Sequence, residues 1–92
     1  MIRSFNSEDT RRLWERHRVR RFVNFERVAQ RKLAQLDGAA VIEDLKIPPG
    51  NHLEKLQGDR AGQWSIRIND QWRLCFRFEN GDALEVEIVD YH

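Results

Sequence analysis

The sequence predicts an α+β fold in which N-terminal helices pack on one face of a small, curved, antiparallel β-sheet. Two observations lead to this prediction. Apolar residues recur every three or four positions in the first half of the chain, which is the period of a helix, and every second position after residue 63, which is the period of a strand. The length of 92 residues corresponds to one domain, over 1–92, because a second core would not fit.

Two helices are predicted before residue 40. Ser7-Glu8-Asp9 has the features of a helix N-terminus, with acidic residues in the first turn, and this helix continues to about His17. The second helix carries one apolar stripe, formed by Phe22, Phe25, Ala29, Leu33 and Leu36. Asp37-Gly38 ends it, because glycine readily adopts the left-handed conformation that closes many helices.

The second half of the chain predicts a β-meander. Residues 41–47 form a short turn, and Pro48-Pro49-Gly50-Asn51 then forces a loop. Three strands with alternating apolar and polar residues follow, at 64–68, 72–78 and 84–88, with turns at Asn69-Asp70 and Asn80-Gly81. Residues 52–56 and 2–5 are candidates for two further strands.

The apolar face determines the expected register, since a slip of one residue would turn every side chain to the other face. Three-residue loops give the apolar pairs Trp64–Phe76, Ile66–Leu74, Ile68–Trp72, Phe78–Leu84, Phe76–Val86 and Leu74–Ile88. These aromatic residues are therefore expected in the core. On the solvent face, Arg77 lies opposite Glu85, as expected of a structural ion pair. Cys75 falls on that face too, as an ordinary thiol.

Arg67 lies opposite Arg73 in the same register, so two like charges face each other. An anion between them, such as a phosphate, would relieve the repulsion. The alternative is that both side chains simply extend into water, where repulsion is weak. The sequence leaves both interpretations open.

The composition is that of a small soluble protein, with 40% hydrophobic and 34% charged residues. No apolar run approaches the roughly 18–20 residues that cross a bilayer, and the first residues lack the apolar stretch of a signal peptide. One cysteine excludes an internal disulfide and a multi-cysteine zinc site. A cytosolic protein with no metal and no membrane partner is therefore expected.

The net charge of +1 conceals a strong asymmetry. Residues 1–36 contain ten Lys and Arg against four Asp and Glu, whereas 37–92 contain six against eleven. The basic excess is concentrated in six arginines: Arg11, Arg12, Arg16, Arg18, Arg20 and Arg21. Such a segment favours a polyanion or an acidic protein as partner, because arginine binds phosphate and carboxylate in a bidentate fork. A solvated helix face is the alternative.

The last three residues, Asp90-Tyr91-His92, directly follow the third strand. Tyr91 has the parity of Glu85 and can project onto the face that carries Arg73. An acid, a tyrosine, a histidine and arginines are sufficient to cleave RNA without metal. The reaction needs a base for the 2′-hydroxyl, an acid for the 5′-oxygen and positive charge on the phosphate. A frayed tail without function is the alternative.

Several motifs closely resemble those of the HigB family of toxins, and together they cover essentially the whole chain. They are Met1–Phe5, Pro48-Pro49-Gly50-Asn51, residues 56–66 with Gly58-Asp59-Arg60, residues 69–76 with Asn69-Asp70-Gln71-Trp72-Arg73, and Val89-Asp90-Tyr91-His92. The HigB family belongs to the RelE/ParE superfamily, whose compact α+β fold agrees with the prediction above.

The resemblance implies a bacterial, cytoplasmic type II toxin that enters the A site of the 70S ribosome and cuts mRNA there, with no metal or organic cofactor. It also implies neutralisation by a HigA-type helix-turn-helix antitoxin, through which alone DNA would be contacted. Arg73 would stabilise the phosphorane, His92 or Asp90 would carry the proton, and Tyr91 would stack on or orient a base. The six arginines between 11 and 21 would dock on ribosomal RNA, with Arg60 and Arg67 as further contacts.

Two positions depart from the family pattern. Gln57 stands where family members often carry lysine, and Glu54 stands where some carry histidine. His52 and Lys55 lie two residues earlier, so on an extended strand they would share the faces of positions 54 and 57. They are therefore candidate catalytic participants, and weak cleavage is expected.

Two other functions fit the same fold. A ParE-like inhibitor of DNA gyrase needs no catalytic residues, although the terminal Asp90-Tyr91-His92 is a HigB feature and argues against it. A module that binds RNA or antitoxin without cleaving is the other possibility, and the residues at positions 54 and 57 keep it open.

Overall fold

The protein has the predicted α+β architecture, with helices packed against one face of a four-stranded antiparallel sheet of order β1-β2-β3-β4. A computed structural model describes residues 1–91. The helices and strands are α1 (Glu8–Trp14), α2 (Glu26–Gly38), β1 (Glu54–Lys55), β2 (Trp64–Arg67), β3 (Trp72–Glu79) and β4 (Asp82–Asp90). Short 3₁₀ helices cover Arg20–Phe25, Ile42–Lys46, Pro49–Asn51 and Gly58–Arg60.

Helix α1 begins as predicted but ends three residues early. The Ser7 side chain caps it by accepting a hydrogen bond of 3.2 Å from the Thr10 amide. The helix ends at Trp14 because Arg16 adopts a left-handed conformation, with φ 71°. The His17 amide then donates to the Arg12 carbonyl, which is the hydrogen bond of a Schellman motif. No glycine marks this end of the helix, so it could not be predicted from neighbouring residues.

The predicted second helix is divided at Phe25. Phe22 and Phe25 lie in the 3₁₀ helix, and α2 starts only at Glu26, yet the whole apolar stripe is buried as predicted. α2 ends at Gly38, also as predicted. The reason differs, since the positive-φ glycines of the chain are Gly58, Gly62 and Gly81.

The two candidate strands are much reduced. Of residues 52–56, only Glu54–Lys55 forms a strand, paired with β2. Residues 2–5 form two isolated parallel bridges to β4, Ile2–Ala83 and Phe5–Val86, rather than a strand.

The predicted register holds between β2 and β3. Trp64 pairs with Phe76 and Arg67 with Arg73, and the Ile68 amide donates to the Trp72 carbonyl at 3.0 Å. A three-residue loop therefore joins these strands, as the apolar parity required.

The predicted register between β3 and β4 was wrong near the turn that joins these strands. Phe78 pairs with Ala83 rather than with Leu84, because Asn80-Gly81 is a two-residue turn in which both residues have positive φ. A β-bulge at Glu85, with φ 53°, restores the predicted pairing further along the strand. Arg77 nevertheless forms the predicted ion pair with Glu85, with Nε 2.6 Å from Oε2.

The core lies between the helices and one face of the sheet. Phe22, Leu33, Leu36, Leu74 and Phe76 are fully buried there. Trp64 and Trp72 are half-buried and pack against this core, as expected. Within residues 1–91, no helix is long and apolar enough to cross a membrane.

The opposite face of the sheet is drier than its polar sequence suggests. Ser65 and Cys75 are fully buried, although both were expected to face solvent. Arg73 reaches across β2 and hydrogen-bonds Ser65. Burial raises the pKa of the Cys75 thiol to about 11, while the charge of Arg60 opposes this increase and that of Glu87 adds to it.

Candidate functional site

Arg73 is held on the outer face of the sheet by two neutral oxygens. Its Nε donates to Ser65 Oγ at 2.8 Å, and its Nη2 donates to the backbone carbonyl of His52 at 2.6 Å. A guanidinium has five N–H groups, so three remain after these two bonds. Within residues 1–91, Arg73 forms no ion pair with a carboxylate. The side chain is therefore fixed in direction while its positive charge stays uncompensated by these residues.

Tyr91 approaches the same guanidinium. The Arg73 Cζ lies 6.0 Å from the centre of the Tyr91 ring. The Tyr91 amide donates to the Gln71 carbonyl at 2.6 Å, which ties the end of the chain to the start of β3. A flat ring beside a directed cation can stack on a nucleobase whose phosphate binds the cation.

Asp90 lies one residue earlier and leaves the strand on the other side. It is the cross-strand partner of Trp72, so its side chain alternates with that of Tyr91. Its carboxylate accepts a hydrogen bond of 3.1 Å from Gln71 Nε2. His92, the third residue of the predicted catalytic tail, lies outside the described residues.

His52 and Lys55 occupy different surroundings. His52 meets Arg73 through its backbone carbonyl, because it adopts a left-handed conformation with φ 45° and ψ 57°. Lys55 pairs with Trp64, and its Nζ lies 5.8 Å from the centre of that ring. Since Trp64 packs against the core, Lys55 stands on the face away from Arg73.

Glu54 occupies one of the two departures from the family pattern. It is the cross-strand partner of Ser65, which places it on the Arg73 side of the sheet. The exposed Gln57 follows β1 and precedes the short helix Gly58–Arg60.

The six arginines between 11 and 21 divide into two groups. Three pair with carboxylates: Arg11 with Glu8 and Glu15, Arg18 with Glu26, and Arg21 with Asp9. Within residues 1–91 the other three form no ion pair; Arg16 donates to Gln30 at 2.9 Å, and Arg12 and Arg20 are exposed. The available positive charge of this segment is thus smaller than its sequence indicates.

A cleft between α1 and the first 3₁₀ helix collects several of these arginines. It is lined by Asp9, Arg12, Arg18, Val19, Arg20 and Arg21. Arg21 also lies 5.6 Å from the centre of the Trp72 ring. Trp72 directly precedes Arg73, so this cleft opens near the end of the sheet that carries Arg73 and Tyr91.

Arg60 and Arg67, the further predicted RNA contacts, both have acidic neighbours. Arg60 Nη1 lies 3.5 Å from Glu87 Oε1 and donates to Gln63 at 3.1 Å. Arg67 is the cross-strand partner of Arg73, as predicted, but its guanidinium pairs with Asp70 in the adjoining loop. The guanidinium groups of Arg67 and Arg73 therefore bond to different partners.

Sequence reasoning missed three residues that bond Arg73 or the loop that supports it. Ser65 was assigned only to a polar face, Asn51 only to a loop, and Lys32 was given no role. All three are buried polar residues, and Asn51 accepts a hydrogen bond from Lys32. The Pro-Pro-Gly-Asn motif, which was already conspicuous, was the one available signal for Asn51.

Solved structures share this fold. The YoeB–YefM toxin–antitoxin complex of Staphylococcus aureus contains a chain that superposes with a TM-score of 0.63 at 17% identity, over 100% of this chain and 98% of that one. The YoeB/ParE toxin of Agrobacterium tumefaciens superposes with a TM-score of 0.53 at 23% identity, over 99% of this chain and 96% of that one.

The sequence identifies the family within this fold. Residues 3–92 match the HigB-like toxin family, described as the RelE-like toxin of the type II toxin–antitoxin system HigB. The chain belongs to this family.

Two curated relatives match parts of the chain. Toxin HigB-1 of Vibrio cholerae is 52% identical over 54 residues, which is 59% of this chain and 57% of that protein. Endoribonuclease HigB of Proteus vulgaris is 50% identical over 40 residues, which is 44% of each protein. The matched segments therefore span about half the length of these relatives.

Proposed function

We propose that this chain is a ribosome-dependent mRNA endoribonuclease that cuts in the A site without a metal or organic cofactor and thereby arrests translation and growth. The observation that carries the proposal is Arg73. Its guanidinium is directed by two neutral oxygens, forms no ion pair within residues 1–91, and lies beside Tyr91. The name of the Proteus vulgaris relative, an endoribonuclease, supports the same chemistry.

The proposed reaction is attack of a ribose 2′-oxygen on the adjacent phosphorus. The 2′-O–P bond forms and the P–5′-O bond breaks, which leaves a 2′,3′-cyclic phosphate and a free 5′-hydroxyl. Arg73 binds the non-bridging oxygens through its remaining N–H groups and stabilises the charge of the phosphorane. His92 is the first candidate to transfer the proton from the 2′-hydroxyl towards the leaving oxygen, because the side chain of Asp90, the other candidate, alternates with that of Tyr91 and leaves β4 on the other side. Tyr91 orients a base by stacking.

The ribosome supplies the second half of the proposed site. The arginine segment between 11 and 21 docks on ribosomal RNA, chiefly through Arg12, Arg16 and Arg20, whose charges are not compensated within residues 1–91. Arg60 and Arg67 make weaker contacts because both already have acidic neighbours. Because Glu54 and Gln57 replace the histidine and lysine of the family pattern, cleavage is weak. His52 is the candidate to compensate, because its backbone already meets Arg73, whereas Lys55 stands on the opposite face of the sheet.

The proposed partner is a HigA-type antitoxin with a helix-turn-helix domain, and DNA is contacted only through it. The family description, a type II toxin–antitoxin system, supports an antitoxin. A chain of similar fold was solved in the YoeB–YefM toxin–antitoxin complex. The bacterial cytoplasm is the proposed compartment, because the ribosome and mRNA are there.

Primer extension on a defined mRNA in programmed 70S ribosomes tests this function. The wild-type chain is compared with Arg73→Ala, with a variant lacking Tyr91 and His92, and with Arg77→Ala as a matched arginine that is already paired with Glu85. The expected result is a new stop at the A-site codon for the wild type and Arg77→Ala only, with no stop on free mRNA.

Two outcomes would contradict the proposal. A folded chain that arrests growth without cleaving, and that inhibits supercoiling by purified gyrase, would have the ParE-like function instead. A folded chain that binds ribosomes or antitoxin without cleaving or inhibiting gyrase would be a binding module.

A further inference from the structure

Three of the buried polar side chains within residues 1–91 are linked to Arg73, either directly or through the loop before β1. The buried polar residues are Thr10, Lys32, Asn51, Gln63 and Ser65. Ser65 bonds Arg73 directly, and Lys32 and Asn51 bond each other behind the loop that provides the second oxygen for Arg73. Burial of a polar group lowers stability unless its hydrogen bonds are replaced. Three of these five groups are therefore linked to one functional side chain by hydrogen bonds or through its supporting loop.

Both polar atoms of the Asn51 side-chain amide form hydrogen bonds that hold the loop before β1. Its Nδ2 donates to the Leu45 carbonyl and to Gln35 Oε1, both at 3.1 Å, and its Oδ1 accepts from Lys32 Nζ. The side chain is completely buried. These bonds connect helix α2, the 3₁₀ helix Ile42–Lys46 and the loop at a single residue.

The loop conformation determines where the His52 carbonyl points. The amides of Asn51 and His52 donate to the carbonyls of Pro48 and Pro49, at 2.9 Å and 3.1 Å. His52 then adopts a left-handed conformation, which a residue other than glycine takes at some cost. Its carbonyl accepts from Arg73 Nη2 at 2.6 Å. Asn51 directly precedes His52, so the position of Asn51 determines where the His52 carbonyl lies and how the Arg73 guanidinium is oriented.

Burial of the Lys32 ammonium beside Asn51 costs desolvation free energy. It is 8% exposed, and its partner is a neutral amide rather than a carboxylate. Burial lowers the pKa of the Lys32 ammonium, and the nearby charges of Arg31 and Arg67 lower it further. An apolar side chain of similar length would fill this site with less desolvation. Stability alone therefore does not account for the ammonium group.

We propose that Asn51, held in place by Lys32, is a positioning residue that aims Arg73 at the scissile phosphate through the His52 carbonyl. This inference rests on the proposed function for its catalytic meaning, but the positioning itself concerns only this chain. Displacement of a reacting group by about 1 Å can lower a rate about 100-fold. Loss of the Asn51 bonds is accordingly expected to act on the rate of cleavage and not on ribosome binding.

Kinetics in programmed ribosomes separate positioning from a purely structural role. Asn51→Ala and Lys32→Met are compared with Asn24→Ala, an exposed asparagine away from the site. The expected single-turnover cleavage rates fall by about 10–100-fold for Asn51→Ala and by about 3–10-fold for Lys32→Met. Ribosome affinity stays within about 2-fold, and Asn24→Ala matches the wild type.

A double-mutant cycle tests whether the effect passes through Arg73. In an Arg73→Ala background, Asn51→Ala is expected to cause no further loss, because the group it positions is already absent. An equal fold-loss in both backgrounds would overturn the proposal. So would a loss of ribosome affinity with an unchanged cleavage rate.

NMR provides a second readout that needs no cleavage. We expect the Arg73 Nε–H to exchange slowly with water, because it is bonded to Ser65 and Nη2 is held by the His52 carbonyl. Asn51→Ala or Lys32→Met is expected to accelerate this exchange at least about 10-fold in a folded chain. Unchanged exchange in the folded Lys32→Met variant would overturn the proposal, even if Asn51→Ala fails to fold. A wild type that does not cleave but shows the accelerated exchange in its variants would refute the proposed function and support the positioning.

Discussion

Arg11 on α1 and Arg73 on β3 are both half-buried arginines with two bonded partners, but the partners are of opposite kinds. Arg11 is held by the carboxylates of Glu8 and Glu15. Arg73 is held by the hydroxyl of Ser65 and the carbonyl of His52. Carboxylates fix an arginine and cancel its charge, whereas neutral oxygens fix it and leave the charge for a ligand. An arginine that is both fixed and uncompensated is the one suited to a phosphate.

The same distinction applies to the whole arginine segment. Six arginines between 11 and 21 suggest a strongly basic surface, yet Arg11, Arg18 and Arg21 are paired with acids. Surface pairs of this kind add little stability, but they reduce the charge available to a partner. The number of arginines in this segment therefore overstates the positive charge that it offers to a partner, relative to the single Arg73 on β3.

Among changes to the surroundings of these arginines, the largest expected effect comes from giving Arg73 the surroundings of Arg11. Ser65→Asp places a carboxylate against the guanidinium, and we expect the single-turnover cleavage rate in programmed ribosomes to fall about 100-fold. Ser65→Asn is the matched control, because it has nearly the same size and keeps a neutral oxygen. A rate for Ser65→Asp equal to that of Ser65→Asn would show that the charge balance at Arg73 does not matter.

Removing two of the three arginines of this segment that are exposed and form no ion pair within residues 1–91 should weaken docking rather than cleavage. We expect Arg12→Ala with Arg20→Ala to lower ribosome affinity about 10-fold and to reduce the slope of log K against log salt by about 1–2. Arg11→Ala with Arg18→Ala, which removes paired arginines, should change affinity less than about 3-fold. Similar losses of ribosome affinity for the two double variants would argue against the division of these arginines into paired and unpaired groups.

Releasing Arg11 should produce a smaller change in the opposite direction. Glu8→Gln with Glu15→Gln removes both carboxylates from Arg11, and we expect ribosome affinity to rise about 2–5-fold at low salt. The gain should disappear as salt increases, which titration at two ionic strengths would measure. An unchanged affinity at low salt would mean that Arg11 does not face the ribosome.

The smallest expected effect tests whether the Cys75 thiol, on the same face of the sheet as Arg73, is shielded from water. Burial raises the pKa of the Cys75 thiol from about 9 to about 11. Above pH 9 the unfolded chain loses this proton first, so the folded state binds more protons and the free energy of unfolding falls as pH rises towards 11. We expect a fall of about 1 kcal/mol between pH 8 and pH 10, relative to Cys75→Ala. Parallel curves for the two proteins in urea titrations would indicate a solvated thiol.

Local signals predicted most of the fold. The Ser7 cap and the apolar stripe from Phe22 to Leu36 are read from neighbouring residues, and each is found where expected. The three-residue loop after Ile68 followed from parity, because a shorter loop would have exposed Trp72 and Leu74. Such features depend on residues a few positions apart, which a sequence displays directly.

The errors arose where the structure departs from the common local rule. α1 ends at Trp14, before a left-handed Arg16 rather than a glycine. The bulge at Glu85 likewise places a charged residue in a positive-φ conformation that usually favours glycine or asparagine. The two-residue turn at Asn80-Gly81 matches its dipeptide signal, but parity without the bulge argued for a longer loop. A compensating bulge cannot be inferred from alternation alone.

The candidate site was only partly accessible from the sequence. Arg73 and Tyr91 were singled out by resemblance and parity, and the structure brings them together. The support of Arg73 was not visible, since Lys32 and Asn51 are 19 residues apart and His52 contributes a backbone oxygen rather than its ring. Contacts of this kind depend on how the loop folds against α2.

Single-turnover cleavage of an A-site codon by Arg73→Ala and Arg11→Ala tests the central claim most directly. Both variants remove one half-buried arginine with two bonded partners, so they differ mainly in whether its charge was compensated. We predict a loss of about 100–1,000-fold for Arg73→Ala and less than about 3-fold for Arg11→Ala, with both chains folded. Equal losses, or a larger loss for Arg11→Ala, would contradict the account.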